Sequence, residues 1–235
     1  MKKVLILVIS ADVHPYEEMI NTSLNTWDSI EVPNCETIFY CGQSNKKDTD
    51  KVIYLPIKDG LFQMGYKTIL ALEWALRNKE FDYIARVNSS CYVRKDLLVE
   101  HCQTLEENNV FSGIEVNDGY RPKWMFGGGQ FIYSKDVVKK FVTHKSLWNH
   151  KEIEDVSISH LANDINIPYH KGKFSSINKR ENDWLVISYP NAEKNFTFTN
   201  FEDMKKSTDF FFRVKCDGKR EIDKIVMENL FNVFK

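Results

Sequence analysis

The start of the chain contains the feature that most restricts its fold. Val4–Ile9 is an unbroken apolar run directly after Met1-Lys2-Lys3. A short run without alternation is typical of a strand covered on both faces in a parallel sheet. A secretory signal peptide is the alternative, but this run is shorter than a usual secretory core, and Asp12 and His14 follow it without a clear cleavage site. We therefore interpret the run as a buried first strand.

Strand and helix patterns alternate through the first two thirds of the chain. The predicted strands cover residues 4–10, 37–41, 51–55, 83–87, 110–114, 130–133 and 184–188. The predicted helices cover residues 15–27, 66–78, 95–107 and 221–234, with two more beginning at Ser134 and Glu154. This alternation predicts an α/β fold with a mixed, mostly parallel sheet flanked by helices. Residues 171–183 are predicted to be a charged, mobile loop, and Phe210–Phe212 a buried strand or helix.

Charge and cysteine content exclude several classes of protein. The formal net charge of −1 provides no basic surface for nucleic acid. The five cysteines are odd in number and form no Cys-x-x-Cys pair, which argues against a disulfide framework or a zinc site and favours reduced thiols in the cytoplasm. No segment approaches the ~20 apolar residues of a membrane helix. We therefore expect a cytoplasmic protein without a transmembrane segment.

Polar loops follow several of the predicted strands, at residues 10–14, 42–45, 88–91 and 117–129. Ligands of open α/β sheets bind where loops leave the carboxyl ends of the strands. One of these loops is Asn88-Ser89-Ser90, at a point where many enzymes place an acidic cluster that holds a metal on a substrate phosphate. We therefore interpret this loop as more than a turn.

Three segments in order carry a family resemblance. A helix with Tyr66-Lys67-Thr68 and Leu72-Glu73-Trp74 precedes the strand that ends in Asn88-Ser89-Ser90. It is followed by Gly127-Gly128-Gly129-Gln130-Phe131-Ile132-Tyr133-Ser134 and then by Glu154-Asp155-Val156. Over roughly residues 4–170 this order resembles the inverting nucleotide-sugar glycosyltransferases of the beta-1,3-galactosyltransferase and Fringe type, which have a GT-A-type fold. The departure is the Asn-Ser-Ser that replaces the family's metal-binding aspartates.

The resemblance implies a function and a division of the chain. It implies transfer of a sugar, with inversion, from a nucleotide-sugar donor (a UDP-sugar is favoured) to a glycan acceptor, as in polysaccharide biosynthesis. We expect a single domain over residues 1–235. Residues 1–115 would form the nucleotide-sugar-binding half, 116–190 the acceptor and catalytic half, and 191–235 a C-terminal helical extension.

The acidic pair at the start of the helix near residue 154 supplies the candidate base. An inverting transferase needs one carboxylate to take the proton of the acceptor hydroxyl. Asp155 is the predicted base because a helix N-terminus favours an ionised carboxylate, and Glu154 is the second choice. The alternative is that either residue only caps the helix.

The donor site is predicted from the strand ends and from the resemblance. Its candidate residues are Ser10, Ala11, Asp12, Asp59, Lys67, Arg86, Asn88, Ser89, Ser90, Gly128 and Gly129. The glycines would let the backbone approach the sugar closely. The alternatives are a surface lysine at Lys67, a plain turn at Asp59-Gly60 and a flexible hairpin at the triple glycine.

The metal and the acceptor are the least determined parts of the site. The sequence argues against a Mn²⁺ or Mg²⁺ site, because Asn88 and Ser90 offer only neutral oxygens, although Asp82 or Asp118 could supply a ligand. Lys67, Arg86 and a basic segment at 170–180 could instead supply positive charge to the diphosphate. Trp124 and Trp184 could stack on the acceptor sugar; the alternative is that each is a core or rim aromatic.

Two other hypotheses stay open at this point. The first is a nucleotide- or glycan-binding module with the same fold, which the neutral Asn-Ser-Ser favours and the retained Glu-Asp pair opposes. The second is an unrelated α/β nucleotide-binding enzyme, although the chain contains neither a Walker loop nor a GxGxxG motif.

Overall fold

The computed structural model describes residues 1–116, 124–126, 130–216 and 220–235. The strands are β1 (Val4–Ile9), β2 (Cys35–Cys41), β3 (Val52–Tyr54), β4 (Tyr83–Asn88), β5 (Cys91–Val93), β6 (Phe111–Val116), β7 (Trp124–Phe126), β8 (Gln130–Ser134), β9 (His170–Lys171), β10 (Phe174–Lys179), β11 (Trp184–Tyr189), β12 (Phe196–Phe198) and β13 (Phe211–Val214). The helices are α1 (Tyr16–Asn25), α2 (Met64–Asn78), α3 (Lys95–Thr104), α4 (Lys135–Thr143), α5 (Glu154–Asp164) and α6 (Glu221–Phe234).

The first sheet is mixed and mostly parallel, as the sequence predicts. Its strand order is β3-β2-β1-β4-β8-β6-β7, with β9 paired to β6. Strands β3, β2, β1 and β4 run parallel, whereas β8 is antiparallel to both β4 and β6. Every residue of β1 is buried, because Val4 and its alternate residues pack into one core cluster while Leu5 and its alternates pack into another. Burial on both faces explains the unbroken apolar run.

A second sheet packs beside the first, with strand order β12-β11-β10-β13-β5. The prediction of a mobile loop at residues 171–183 is therefore wrong, because β10 lies in the interior of this sheet between β11 and β13. Phe174 and Ile177 of β10 are buried. Charged residues around this strand obscure its pattern, and its partner β13 comes more than thirty residues later in the chain.

The end of the chain is less helical than expected. Residues 191–235 contain β12 and β13 before α6 begins at Glu221. Strand β13 pairs antiparallel with β5, placing Arg213 opposite Cys91, and the Val214 amide donates a hydrogen bond to the Ser90 carbonyl at 2.7 Å. The last fifth of the chain therefore contacts the turn that follows β4.

Within the part of the chain that the structure describes, none of the helices combines the length and the apolar character needed to cross a membrane. The five cysteines are free thiols. Burial raises the pKa of Cys41 and Cys102 to about 12, so these two thiols stay protonated.

Candidate functional site

A cavity of about 480 Å³ opens at the carboxyl edge of the first sheet, where the second sheet meets it. Sequence-predicted donor-site residues form much of its wall: Ser10, Ala11, Asp59, Lys67, Asn88, Ser89 and Ser90. Three cationic residues that the sequence analysis did not assign to the site also line it: Arg213, Lys215 and Arg220. The cavity therefore joins the first ninety residues to the last twenty-five.

Parallel pairing of β1 and β4 creates the floor of this cavity. Ile9 lies opposite Asn88 in the register, so both strands end at the same level. The Ser89 amide donates to the Ile9 carbonyl at 3.0 Å, which fixes the turn of residues 88–90 against the end of β1. Neighbouring parallel strands that end together leave a crevice for a ligand.

Lys67 and Asp59 form one wall as a largely buried ion pair. The Lys67 ammonium in the first turns of α2 donates to an Asp59 carboxylate oxygen and to the Ser10 carbonyl. The Gly42 amide donates to both Asp59 carboxylate oxygens at 3.1 Å. A Cβ on Gly42 would lie 2.6 Å from the Ile57 carbonyl oxygen, so a glycine is needed for this close approach. Lys67 is thus a buried lysine, 3% exposed, and not a helix-surface lysine.

Arg86 lies beneath the cavity and does not line it. Its side chain is 1% exposed; one guanidinium nitrogen donates to Asn88 Oδ1 at 2.7 Å and another pairs with the Glu154 carboxylate. Burial opposes the charge, but the facing Glu154 carboxylate holds the pKa of Arg86 above its ordinary value. Arg86 therefore orients the Asn88 amide and connects the end of β4 to the start of α5.

Glu154 is the centre of a buried polar network. Thr68 donates to its second carboxylate oxygen at 2.6 Å, and the Tyr40 and Thr68 hydroxyls are 3.0 Å apart. Burial raises the pKa of Tyr40 to about 12, so the phenol stays neutral. With both carboxylate oxygens occupied and 4% of the residue exposed, Glu154 holds α2, α5 and β4 together.

Asp155, the next residue of α5, is only half-buried. Successive helix residues point about 100° apart, so the Asp155 side chain does not point into the core as the Glu154 side chain does. Burial raises the pKa of Glu154, the Arg86 charge lowers it, and the Asp155 charge raises it further. The Asp155 charge also raises the pKa of Arg86, by less than the Glu154 charge does. Asp155 does not line the cavity, but the hydrogen bonds from Asn88 through Arg86 to Glu154 place its helix turn beside the cavity floor.

Cationic residues dominate the charge of the cavity wall. Among its described residues the wall contains the cations Lys67, Arg213, Lys215 and Arg220 and a single carboxylate, Asp59, which is a formal excess of three positive charges. Alternation along an extended chain places Arg213 and Lys215 on one side, with Val214 buried between them. That alternation was a readable signal in the sequence, but nothing local in it indicated that β13 would reach the cavity.

The structure does not bring the remaining predicted residues to the cavity wall. Asp12 pairs with Lys46 at 2.6 Å instead, and the 170–180 segment is also absent from the wall. Asp82 lies at the opposite end of β4 and accepts from the Lys3 amide. Predictions for Gly128, Gly129 and Asp118 lie outside the described residues.

The two candidate acceptor tryptophans also lie off the cavity wall. Trp184 of β11 is half-buried and packs against Phe198 and Phe201. Trp124 is half-buried in β7, opposite Val116 of β6.

The residues around the cavity do not fit a divalent cation. The 88–90 turn offers amide and hydroxyl oxygens, whereas Mg²⁺ and Mn²⁺ prefer carboxylates. Asp59 is occupied by Lys67 and the Gly42 amide. Among the residues described, no cluster of three or more His, Cys, Asp or Glu side chains could hold a metal ion.

Comparison with solved structures identifies the fold. A glycosyltransferase involved in the glycosylation of the major capsid of PBCV-1 matches 96% of this chain and 98% of its own, with a TM-score of 0.58 and 11% sequence identity. A mannosyltransferase from Pyrobaculum calidifontis, solved with GDP-Man and Mn²⁺, matches 73% of this chain at a TM-score of 0.47 and 13% identity. This chain corresponds to 55% of that protein's length.

The S. aureus protein TarS, residues 1–349 in complex with UDP, matches 68% of this chain and 53% of its own, with a TM-score of 0.44 and 15% identity. Neither a protein-family model nor a curated protein matches the sequence. At 11% identity the match to the PBCV-1 glycosyltransferase shows the fold alone, and the chain has a mixed α/β, GT-A-like fold.

Proposed function

We propose that this protein is an inverting glycosyltransferase that moves a sugar from a nucleoside-diphosphate donor, a UDP-sugar in the favoured case, to a hydroxyl group of a glycan. One observation carries the proposal. The polar 88–90 turn and a set of cationic side chains face one cavity at the carboxyl edge of the sheet. The end-to-end match to a glycosyltransferase supports it.

The nucleotide would occupy the part of the cavity between the end of β1 and the start of α2. Ser10 and Ala11 present backbone and small side chains there, and Asp59 is held in place by Lys67 and Gly42. A carboxylate with fixed orientation can accept hydrogen bonds from ribose hydroxyls or from a base. The diphosphate would lie toward Asn88, Ser89 and Ser90, whose amide and hydroxyl groups can donate to phosphate oxygens.

The transfer step needs one base and one stabilised leaving group. The acceptor oxygen attacks the anomeric carbon and forms the new glycosidic bond, while the bond from that carbon to the donor phosphate oxygen breaks. The nucleoside diphosphate leaves with the electron pair, and the acceptor proton passes to the Asp155 carboxylate. Positive groups facing the diphosphate stabilise the charge it gains.

Asp155 is the base in this proposal, and Glu154 is a positioning residue. Glu154 has both oxygens engaged by Arg86 and Thr68, so accepting a proton would break a buried ion pair. Asp155 is more exposed than Glu154 and lies in the same first turn of α5. The helix N-terminus stabilises its ionised form, which a general base requires.

The experiment compares turnover and binding in an Asp155→Asn variant. We expect donor hydrolysis or transfer to fall by about 10²–10⁴-fold, the usual contribution of a general base, while UDP affinity stays within about twofold of the wild-type value. Asp164→Asn is the matched control, because Asp164 is an exposed acid at the other end of the same helix. Full turnover by Asp155→Asn would eliminate Asp155 as the base.

The neutral 88–90 turn favours a second candidate, a binding module that has lost catalysis. The same experiment separates the two functions. Thermal stabilisation by nucleoside diphosphates with no turnover by the wild-type protein on a broad donor and acceptor panel would support the binding module and contradict the transferase.

A further inference from the structure

We propose that Arg213, Lys215 and Arg220 bind the donor diphosphate directly and supply the positive charge that metal-dependent sites obtain from a divalent cation. The site would then bind nucleoside diphosphates at full affinity without metal. This inference rests on the proposed function, because it assigns the diphosphate of the donor to the cationic side of the same cavity.

The first support is the placement of β13 against the 88–90 turn. The Val214 amide donates to the Ser90 carbonyl at 2.7 Å, and Arg213 lies opposite Cys91, the residue that follows the turn. Arg213 and Lys215 therefore flank the turn from the next strand, and both line the cavity. Lys215 is exposed and Arg213 half-buried, so both cations can meet a ligand.

The second support is the fixed position of Arg220. Its guanidinium donates to the Asp223 carboxylate at 2.8 Å, and that carboxylate is fully buried. The same carboxylate accepts from the Cys216 amide at 2.6 Å, which fixes the end of β13 relative to α6. Arg220 also has a left-handed backbone with φ 65°. A non-glycine residue held in this region is uncommon, and such residues concentrate at functional sites.

The third support is the charge of the cavity wall. A diphosphate carries at least two negative charges, and Asn88, Ser89 and Ser90 contribute no charge of either sign. The wall's only described carboxylate, Asp59, is paired with Lys67. The remaining cations of the wall are Arg213, Lys215 and Arg220, of which Arg220 is also paired with the buried Asp223, and guanidinium groups match phosphate oxygens bidentately.

The experiment measures the affinity of the full chain for UDP, GDP, ADP and CDP, and for the corresponding nucleosides, in excess EDTA and in excess MnCl₂. We expect the best nucleoside diphosphate to bind equally well in both media and at least about tenfold more tightly than its nucleoside, as strong charge-assisted contacts require. The affinity should fall as salt is added, because exposed cations are screened.

Three variants test which side chains supply positive charge to the diphosphate. Lys215→Gln should weaken diphosphate binding by about tenfold and the double variant Arg213→Gln/Lys215→Gln by about a hundredfold, while nucleoside binding changes little. A purely structural role would weaken both ligands together. Lys194→Gln is the control, since Lys194 is an exposed lysine of the C-terminal segment that does not line the cavity. Lys215 is exposed, so its variant tests the inference even if the double variant folds poorly.

The outcomes separate this inference from the function on which it rests. A diphosphate that binds only in MnCl₂, or whose affinity is unchanged by Lys215→Gln and by the double variant, overturns the cationic site and leaves the glycosyltransferase proposal in place. Binding of no nucleoside diphosphate in either medium overturns the proposed function and this inference with it.

Discussion

At the residue scale, the buried contacts of Arg86 and Glu154 explain why sequence position did not predict their roles. The sequence placed Arg86 near the diphosphate because it lies two residues before Asn88. The structure instead directs the guanidinium into the core, where it meets Glu154 from a helix 68 residues later in the chain. No local pattern indicates such a pairing. By contrast, Ser10, Asn88 and Ser89 could be predicted to lie at the carboxyl edge of the sheet, because apolar runs show where the parallel strands end. All three line the cavity.

Replacing one partner of the Arg86–Glu154 pair should destabilise the fold more than replacing both. We expect Arg86→Met to lower the free energy of unfolding by about 3–5 kcal/mol, because it leaves a buried carboxylate unpaired. The double variant Arg86→Met/Glu154→Met should recover much of that loss. Urea denaturation of the single variants and the double variant measures the coupling.

The same variants distinguish a positioning role from direct nucleotide binding. Because Arg86 does not line the cavity, the folded double variant should retain UDP affinity within about threefold of wild type. A loss of UDP affinity in Arg86→Met without any loss of stability would show instead that Arg86 contacts the nucleotide.

At the element scale, β13 determines the character of the site. It lies between β10 and β5 in the second sheet, and its ladder with β5 joins it to the turn after β4. The sequence indicated a buried element at Phe210–Phe212 but did not assign its partners, because strand pairing over more than a hundred residues leaves no local signal. For the same reason the sequence offered the basic residues of 170–180 as possible phosphate contacts and did not indicate Arg213 and Lys215, which line the cavity.

Ligand binding should therefore protect β13. We expect saturation with UDP, or with the nucleoside diphosphate that binds best, to slow amide hydrogen exchange in residues 88–93 and 211–216, because the ligand would suppress local opening of both segments. Residues 184–198, in the outer strands of the second sheet, serve as the internal control. Unchanged exchange in 211–216 at saturation would show that the cationic strand does not take part in binding.

At the scale of the whole molecule, the sequence predicted the first sheet far better than the second. The unbroken run of β1 and the regular alternation that follows it gave the fold class, which the end-to-end match to a glycosyltransferase structure supports. The second sheet combines β5 with strands from the last third of the chain. Its strands are short and flanked by charged residues, so their order depends on tertiary packing against α6 and not on local propensity.

The cavity is a product of that whole-chain arrangement. Its neutral polar floor comes from the ends of β1 and β4, and three of its cations are Arg213, Lys215 and Arg220 near the end of the chain. Neither part alone would bind the proposed sugar donor, because the floor lacks charge and the cationic segment lacks a crevice. The proposed function therefore depends on both parts acting on one ligand.

The most direct test is a crystal structure of the full chain with the nucleoside diphosphate that binds best, grown in excess EDTA. We expect the nucleoside beside Asp59 and Lys67, and phosphate oxygens within hydrogen-bond distance of Arg213, Lys215 or Arg220 and of the 88–90 turn. A nucleotide bound outside this cavity would contradict the proposed donor site. A diphosphate that lies in the cavity but contacts none of the three cations would contradict the metal-free site alone.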